Sequence, residues 1–111
     1  MDLFLKWKKN ENVFTLGKLS KNENKYFFEI NKDGFKNAVL NGCIGIPGFA
    51  LGQTSFESDE LFKFFKNRIV SADAENIEGI LEKYNLDKYD DMELLKATKA
   101  KLNTDHYFVE E

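Results

Sequence analysis

Three short segments rich in strand-forming residues lie near the start of the chain, and polar turns separate them. The segments are Leu3–Lys8, Val13–Leu19 and Lys25–Ile30, and the turns are Lys9–Asn12 and Ser20–Asn24. Aromatic and β-branched residues favour strands, whereas short runs of Asn, Lys, Glu and Ser favour turns. This order predicts a three-stranded antiparallel meander at the N-terminus.

Alternation in the first segment predicts its buried side. Leu3, Leu5 and Trp7 fall on one side of an extended strand, while the intervening residues are mostly basic. In the second segment, Gly17 indicates a β-bulge or a close approach of the backbone to another part of the chain. We therefore expect one face of this sheet to carry the core.

Helical patterns follow in the second half of the chain. Apolar residues recur near helical spacing, and Ser or Asp residues stand where helix N-caps are expected. Residues 43–56 contain the only proline and three of the seven glycines, which favours a loop with short strands. The predicted later elements are a short helix from Phe35 to Leu40, a helix from Ser58 or Asp59 through Ile69, a helix from Asp73 or Ala74 to Tyr84, a helix from Asp90 or Asp91, and a β-prone tail from His106 to Val109.

Strands followed by helices, rather than alternating with them, are typical of the α+β class. We predict a single domain over residues 1–111, in which a small antiparallel sheet or barrel of about five strands is capped by two to three helices. A chain of this length can bury one core. Its eleven phenylalanines predict aromatic packing in that core or in an interface.

The charge and cysteine content narrow the functional class. Sixteen basic and nineteen acidic residues give a net charge of −3, whereas a nucleic-acid binder usually carries a basic face. Cys43 is the only cysteine, which excludes an intrachain disulfide and favours a reducing compartment. The N-terminal residues lack the apolar run of a signal peptide, and no stretch is apolar enough to span a membrane. We therefore expect a cytoplasmic protein that contacts neither nucleic acid directly nor a membrane.

Sequence features of catalysis are weak. Cys43 and His106 could form a nucleophile and its base, but no motif supports the pair, and a buried cysteine with a surface histidine is the simpler interpretation. The glycine-rich residues 42–48 lack the lysine of a phosphate-binding loop and the helix that follows a dinucleotide fingerprint. Neither acidic run, Glu57–Glu60 or Asp90–Glu93, has the spacing of a calcium loop. We expect no enzyme activity and no catalytic, cofactor-binding or metal-binding residues.

Apolar residues in an irregular loop are better candidates for function, since loops carry binding sites more often than sheet strands do. The loop from Ile44 to Phe56 could present apolar side chains to a protein partner, or these residues could instead complete the core. In the predicted helix that follows, Phe62 and Phe65 share one face and Phe64 is turned away from it. The candidate partner-binding residues are Ile44, Ile46, Phe49, Leu51, Phe56 and Phe64.

Five segments of the chain resemble, in their order and spacing, the N-terminal region of HipA-family proteins. That region has a segment of the type L-F-x-F-F-x-N-R-I, then a charged helix, an E-L-L helix and a T-D-x-Y-x-F tail. The family often has proline after the first of these and a Gly-Gly pair before the tail, where this chain has Val70 and Lys99–Ala100. The matching segments here are Leu16–Leu19 (LGKL), Tyr26–Glu29 (YFFE), Leu61–Ile69 (LFKFFKNRI), Asp91–Leu95 (DMELL) and Thr104–Phe108 (TDHYF).

The resemblance implies both a fold and a function. The fold is a small antiparallel β-barrel capped by helices. HipA proteins are serine/threonine kinases that act as toxins, and this chain is similar to their N-terminal subdomain encoded separately, like the HipS-like component of HipBST-type toxin–antitoxin systems. The implied partner is a HipA-like (HipT-like) kinase, which the chain would bind and inhibit or modulate, with a HipB-like helix-turn-helix protein as a further component.

A second interpretation does not involve a kinase. The chain could be a homodimeric interaction or assembly module that pairs through an exposed strand edge. A stable dimer that is indifferent to the kinase would favour this interpretation, whereas binding to the kinase favours the antitoxin-like function.

Overall fold

The computed structural model describes all 111 residues, which form five strands and four helices. None of the helices combines the length and apolarity needed to cross a membrane. The strands are β1 (Asp2–Lys9), β2 (Asn12–Asn22), β3 (Lys25–Ile30), β4 (Ser55–Ser58) and β5 (Tyr107–Glu110). The helices are α1 (Lys32–Leu40), α2 (Lys63–Lys66), α3 (Ile77–Lys83) and α4 (Asp91–Thr98).

All five strands belong to one antiparallel sheet in the order β4-β3-β2-β1-β5. The predicted N-terminal meander forms its centre, and the predicted α+β fold with a five-stranded antiparallel sheet is confirmed. The sheet does not close into a barrel, because β4 and β5 lie at opposite edges and do not pair with each other. Each of these outer strands is only four residues long.

One face of the sheet carries the core, as the alternation in β1 predicts. Leu3 and Leu5 are fully buried, and Trp7 is nearly so. The register between β1 and β2 shifts after Leu5, which marks a bulge, and Gly17 lies opposite Leu5. A Cβ on Gly17 would lie 2.5 Å from Cζ of Phe28. The missing side chain therefore allows the Phe28 ring to lie directly against the sheet.

The helix predicted from residue 58 or 59 to residue 69 is wrong over most of its length. Ser58 belongs to β4, where it lies opposite Tyr26 of β3. Its hydroxyl accepts a hydrogen bond from the Glu60 N–H at 3.2 Å, a local turn rather than a helix cap. Only Lys63–Lys66 is helical. Pairing with a distant strand, which local spacing does not reveal, overrides the helical pattern here.

The predicted helix start is confirmed for α4 but not for α1 or α3. Asp90 accepts a hydrogen bond from the Glu93 N–H at 3.1 Å, so α4 begins where the acidic run predicts. Helix α1 begins earlier than predicted, because Asn31 accepts a hydrogen bond from the Gly34 N–H at 2.9 Å. Helix α3 has no side-chain cap and begins later than predicted, at Ile77.

Candidate partner-binding surface

The segment between α1 and β4, residues 43–54, has no regular secondary structure, and we call it the glycine loop. It turns at glycines with positive φ, a backbone conformation that residues with a Cβ rarely adopt. These glycines have φ between 88° and 103°: Gly42, just after α1, and Gly45, Gly48 and Gly52. The path of the loop therefore depends on residues that have no side chain.

Hydrogen bonds hold both ends of the glycine loop on the domain. The Cys43 N–H donates to a carbonyl of α1 at 3.0 Å, and the Thr54 carbonyl accepts from the Ile30 N–H at 2.8 Å. Between these ends, the Gly45 carbonyl accepts a hydrogen bond from the buried hydroxyl of Tyr107. The loop is thereby attached to α1, β3 and β5, so its exposed side chains have a defined position.

The glycine loop exposes two of the six predicted partner-binding residues almost completely. Ile44 is 89% exposed and Leu51 is 81% exposed. Cδ2 of Leu51 lies 4.0 Å from the position that a Cβ on Gly45 would occupy, so Leu51 is next to the residue that follows Ile44. Single exposed apolar residues are common on protein surfaces, whereas several on one segment favour a role in protein contact.

Three more of the predicted residues, two in the glycine loop and Phe56 in β4, face the core. Ile46 is buried. Phe49 is half-buried, and its ring centroid lies 4.7 Å from that of Phe28 and 4.8 Å from that of Phe56. Phe56 lies opposite Phe28 in the pairing of β3 with β4. These three side chains support the loop from the core side, whereas Ile44 and Leu51 form its outer surface.

An open groove of ≈ 200 Å³ lies between α1 and the glycine loop. Apolar side chains from the helix and the loop form much of its surface. Two lysines of α1 also line it, and no acidic residue does. The larger side chains that line it include Lys32, Phe35, Lys36, Ile46, Phe49 and Leu51.

Helix α1 adds two exposed apolar residues that the sequence interpretation missed. Val39 is 45% exposed and Leu40 is 74% exposed. Val39 lies one helical turn after Phe35, which lines the groove, so the two residues lie on the same side of the helix, although Val39 itself does not line the groove. A signal for this was present in the sequence. If Ala38 faces the sheet, Val39 and Leu40 lie about 100° and 200° further around the helix and therefore away from the sheet.

Phe64 does not line this groove. Its half-buried ring packs edge-on against Phe65 and Tyr107, with centroid separations of 5.3 Å in both pairs. The guanidinium of Arg68 lies 5.0 Å from the centroid of the same ring. Phe64 therefore belongs to a different part of the molecule, around a buried arginine.

Arg68 is the one buried charged residue, and most of its donors are used within the fold. Its Nε donates to the Ala100 carbonyl at 2.6 Å, and its terminal nitrogens donate to the Asp105 carboxylate at 2.7 and 2.9 Å and to the Tyr107 carbonyl at 3.0 Å. The hydrogen bond from Arg68 lowers the pKa of Asp105, against the opposing effect of burial. We call Arg68 and these three partners the Arg68 centre, and its geometry favours a structural role.

The conceivable pair of Cys43 and His106 is not supported by the geometry. The buried thiol of Cys43 has the Gly45 carbonyl at 3.7 Å and the Tyr107 hydroxyl at 3.9 Å as its polar neighbours, whereas His106 is exposed. Burial raises the pKa of Tyr107, so this hydroxyl stays protonated at neutral pH. No group of three or more His, Cys, Asp or Glu side chains is arranged to hold a metal ion.

No protein-family model matches the chain, and no curated protein matches it significantly. The family resemblance therefore remains a prediction from the five quoted segments. Two regions of the fold bear on function: exposed apolar side chains near a groove that two lysines line, and a buried polar centre whose hydrogen bonds are made within the chain.

Proposed function

We propose that this chain is a protein-binding module that docks on a separately encoded HipA-like serine/threonine kinase and inhibits or modulates it, as an antitoxin does. The observation that carries the proposal is the exposure of three large aliphatic side chains on α1 and the glycine loop, Leu40, Ile44 and Leu51, which are 74%, 89% and 81% exposed. Large aliphatic residues of this kind are most often buried in cores or interfaces. A partner that covers them removes apolar area from water, which contributes about 25 cal/mol per Å².

The turn before β5 supports the family resemblance. Lys99 and Ala100 have φ values of 58° and 50°, in the left-handed region that glycine adopts most readily. The HipA-like pattern often has a Gly-Gly pair at these two positions, where this chain departs from it in residue type. Lys99 and Ala100 therefore adopt the backbone conformation that suits the two glycines of the pattern, although neither residue is a glycine. This agreement supports the alignment of the last two segments.

The setting that we propose is the cytoplasm, where the free thiol of Cys43 stays reduced. A HipB-like helix-turn-helix protein would supply the DNA-binding function of the complex, since this chain has a net charge of −3. In this arrangement the chain contacts the kinase, and it contacts neither nucleic acid nor a membrane directly.

Co-expression with a HipA-like kinase encoded beside the gene for this chain tests the proposal. We expect the two proteins to co-purify, and we expect the autophosphorylation or toxicity of the kinase to change when the chain is present. The double substitution Ile44→Ser with Leu51→Ser should abolish co-purification. Val13→Ser is the matched control, because Val13 is 48% exposed and does not line the groove.

Two results would count against the proposal. A wild-type chain that neither co-purifies with the kinase nor changes its activity contradicts the function. A complex that survives the double substitution at Ile44 and Leu51 contradicts the surface, and it directs attention to the region around Phe64.

Homodimerisation through a strand edge is the alternative function. The outer edge of β5 is partly covered, because the Val109 N–H donates to the Lys99 carbonyl at 2.8 Å. Strand β4 has four residues, and its Glu57 pairs with Lys25 at 2.6 Å. Short and charged edges disfavour pairing between copies. Sedimentation of the purified chain separates the two functions, since a stable dimer that does not bind the kinase would favour the alternative.

A further inference from the structure

The groove between α1 and the glycine loop combines an apolar surface with positive charge on one side. Phe35 and Leu51 contribute to the apolar surface, and the exposed side chains of Lys32 and Lys36 line the groove from α1. Asp33 is on the same helix but does not line the groove. Residues four positions apart on a helix lie on one side, so the two lysines act together.

Neither of these lysines is neutralised within the chain. The five ion pairs of the protein involve Lys6, Lys21, Lys25, Arg68 and Lys96, and neither Lys32 nor Lys36 takes part in one. Two unpaired positive charges therefore stand beside an apolar groove in a chain whose net charge is −3. This local charge is opposite in sign to that of the whole protein, so it favours an acidic ligand.

The size of the groove indicates the kind of ligand. Its volume of ≈ 200 Å³ is below the range of about 300–1,000 Å³ typical of sites that enclose a drug-sized molecule. A space of this size suits one or two anchoring side chains of a polypeptide that otherwise lies on the surface. Leu40 and Ile44 do not line the groove, but they belong to α1 and the glycine loop that form it, and their exposed side chains offer further apolar area.

We propose that the groove binds a segment of a partner protein in which an aliphatic or aromatic residue is flanked by acidic residues. The anchor residue contacts Phe35 and Leu51, and the flanking carboxylates pair with Lys32 and Lys36. Exposed charges at the rim of an interface govern specificity and association rate more than affinity. This inference names the chemistry of the contact, and it rests on the proposed function for the identity of the protein that supplies the segment.

Selection of phage-displayed random peptides on the full chain tests this chemistry without a kinase. We expect enriched peptides to combine a Leu, Ile or Phe anchor with neighbouring Asp or Glu. The double charge reversal Lys32→Glu with Lys36→Glu should weaken binding of these labelled peptides about tenfold at low salt, and by less at high salt. The control Lys83→Glu with Lys88→Glu reverses two exposed lysines outside the groove and should leave binding unchanged.

The apolar part of the site needs its own variant. Leu51→Ser should weaken the same peptides about tenfold, since it removes the exposed aliphatic wall without changing charge. Thermal unfolding of each variant confirms that the fold is retained. The inference is overturned if no peptide is enriched, if the enriched peptides lack acidic residues, or if the reversal at Lys32 and Lys36 leaves their binding unchanged.

The kinase separates this inference from the proposed function. Loss of co-purification on charge reversal at Lys32 and Lys36 supports both. Retention of the kinase by that variant overturns the groove inference and leaves the proposed function standing. A wild-type chain that selects acidic peptides but never binds the kinase supports the inference and contradicts the function. Dimerisation that this variant abolishes would assign the groove to a second copy and overturn the inference.

Discussion

The glycine loop and the Arg68 centre arrange polar and apolar groups in opposite ways. In the glycine loop, the apolar residues Ile44 and Leu51 are exposed. In the Arg68 centre, a charged side chain is buried among hydrogen-bond acceptors. Both regions contact the aromatic core, the loop through Phe49 and the centre through Phe64. The two regions therefore differ in which chemical groups they expose to water, and not in how far they lie from the core.

This contrast separates stability from recognition. Arg68 makes its hydrogen bonds only while the chain is folded, and they join the turn after α2 to Ala100 and to the start of β5. An exposed leucine contributes little to folding, because water surrounds it in the folded and the unfolded chain, and it remains free to contact a partner. We therefore expect substitutions in the Arg68 centre to change the free energy of unfolding, and substitutions in the glycine loop to change binding.

The largest expected effect is the loss of Arg68. Arg68→Met keeps a long side chain but removes the hydrogen bonds to Ala100, Asp105 and Tyr107, so the free energy of unfolding in a urea titration should fall by about 3 kcal/mol. Lys66→Met, which changes an exposed cation of α2, should alter it by less than about 0.5 kcal/mol. Equal, small effects of the two substitutions would remove the distinction between the two regions.

Two glycines extend the comparison to the backbone. Gly17→Ala places a Cβ 2.6 Å from the Glu29 carbonyl oxygen and 2.5 Å from the Phe28 ring, and should lower the free energy of unfolding by about 2 kcal/mol. Gly48→Ala meets no atom within 4 Å, but its φ of 88° should cost about 1 kcal/mol through backbone strain. Chemical denaturation ranks the two variants. A larger loss at Gly48 would show that loop geometry matters more for stability than packing against the sheet.

A substitution beside the Arg68 centre should have the opposite sign. Lys99 is exposed and has a φ of 58°, so Lys99→Gly relieves left-handed strain and should raise the free energy of unfolding by about 0.5–1 kcal/mol. Lys101→Gly is the control, since Lys101 does not have a positive φ, and it should lower stability. The melting temperatures of the two variants, compared with wild type, measure these changes in stability. An increase for both variants would exclude backbone strain at Lys99 as the cause.

Acid should weaken the Arg68 centre in a defined range of pH. The hydrogen bond from Arg68 holds the pKa of Asp105 below its ordinary value of 3.8. Because the pKa is lower in the folded chain, the stabilisation is complete well above pH 3.8 and is lost as the pH falls through the folded value. The difference in unfolding free energy between wild type and Asp105→Asn should therefore shrink from about pH 7 to about pH 3. A constant difference would show that the charge of Asp105 does not contribute.

The smallest effect on stability is expected in the glycine loop itself. The double variant Ile44→Ser with Leu51→Ser removes side chains that already contact water, so its free energy of unfolding should lie within about 0.5 kcal/mol of wild type. This is also the variant that we expect to lose the kinase. A large loss of stability, measured by thermal unfolding, would mean that the loop supports the fold and would erase its contrast with the Arg68 centre.

Parts of the fold were predictable where local patterns and packing agree. Strand β3 has the predicted bounds, Lys25–Ile30, and α4 begins after Asp90, whose carboxylate caps it. The chain from residue 58 to 69 was not predictable in this way. Ser58 joins the sheet opposite Tyr26, and Phe62 has an extended backbone with ψ 139°. Helix α2 therefore begins only at Lys63 and has four residues.

The candidate surface was predictable in position but not in detail. Composition identified the glycine loop, yet Ile44 and Ile46 are the same kind of residue, and only one of them is exposed. Two positive-φ glycines near them, Gly42 and Gly45, redirect the backbone and abolish the alternation that would assign each side chain to a face. The helical pattern of Phe35–Leu40 does not show which side of the helix the sheet covers, so it leaves the exposure of Leu40 open.

Local patterns in the chain were sufficient for the strand meander, the buried side of β1 and the cap of α4, because these depend on hydrogen bonds and burial between near neighbours. The open sheet, the exposed pair Ile44 and Leu51, and the burial of Arg68 follow from contacts that form only in the folded chain. The partners of Arg68 lie 32 to 39 positions further along the chain. An arginine in a lysine-rich stretch carries no local sign that it will be enclosed, so the fold alone distinguishes it from the solvated cations beside it.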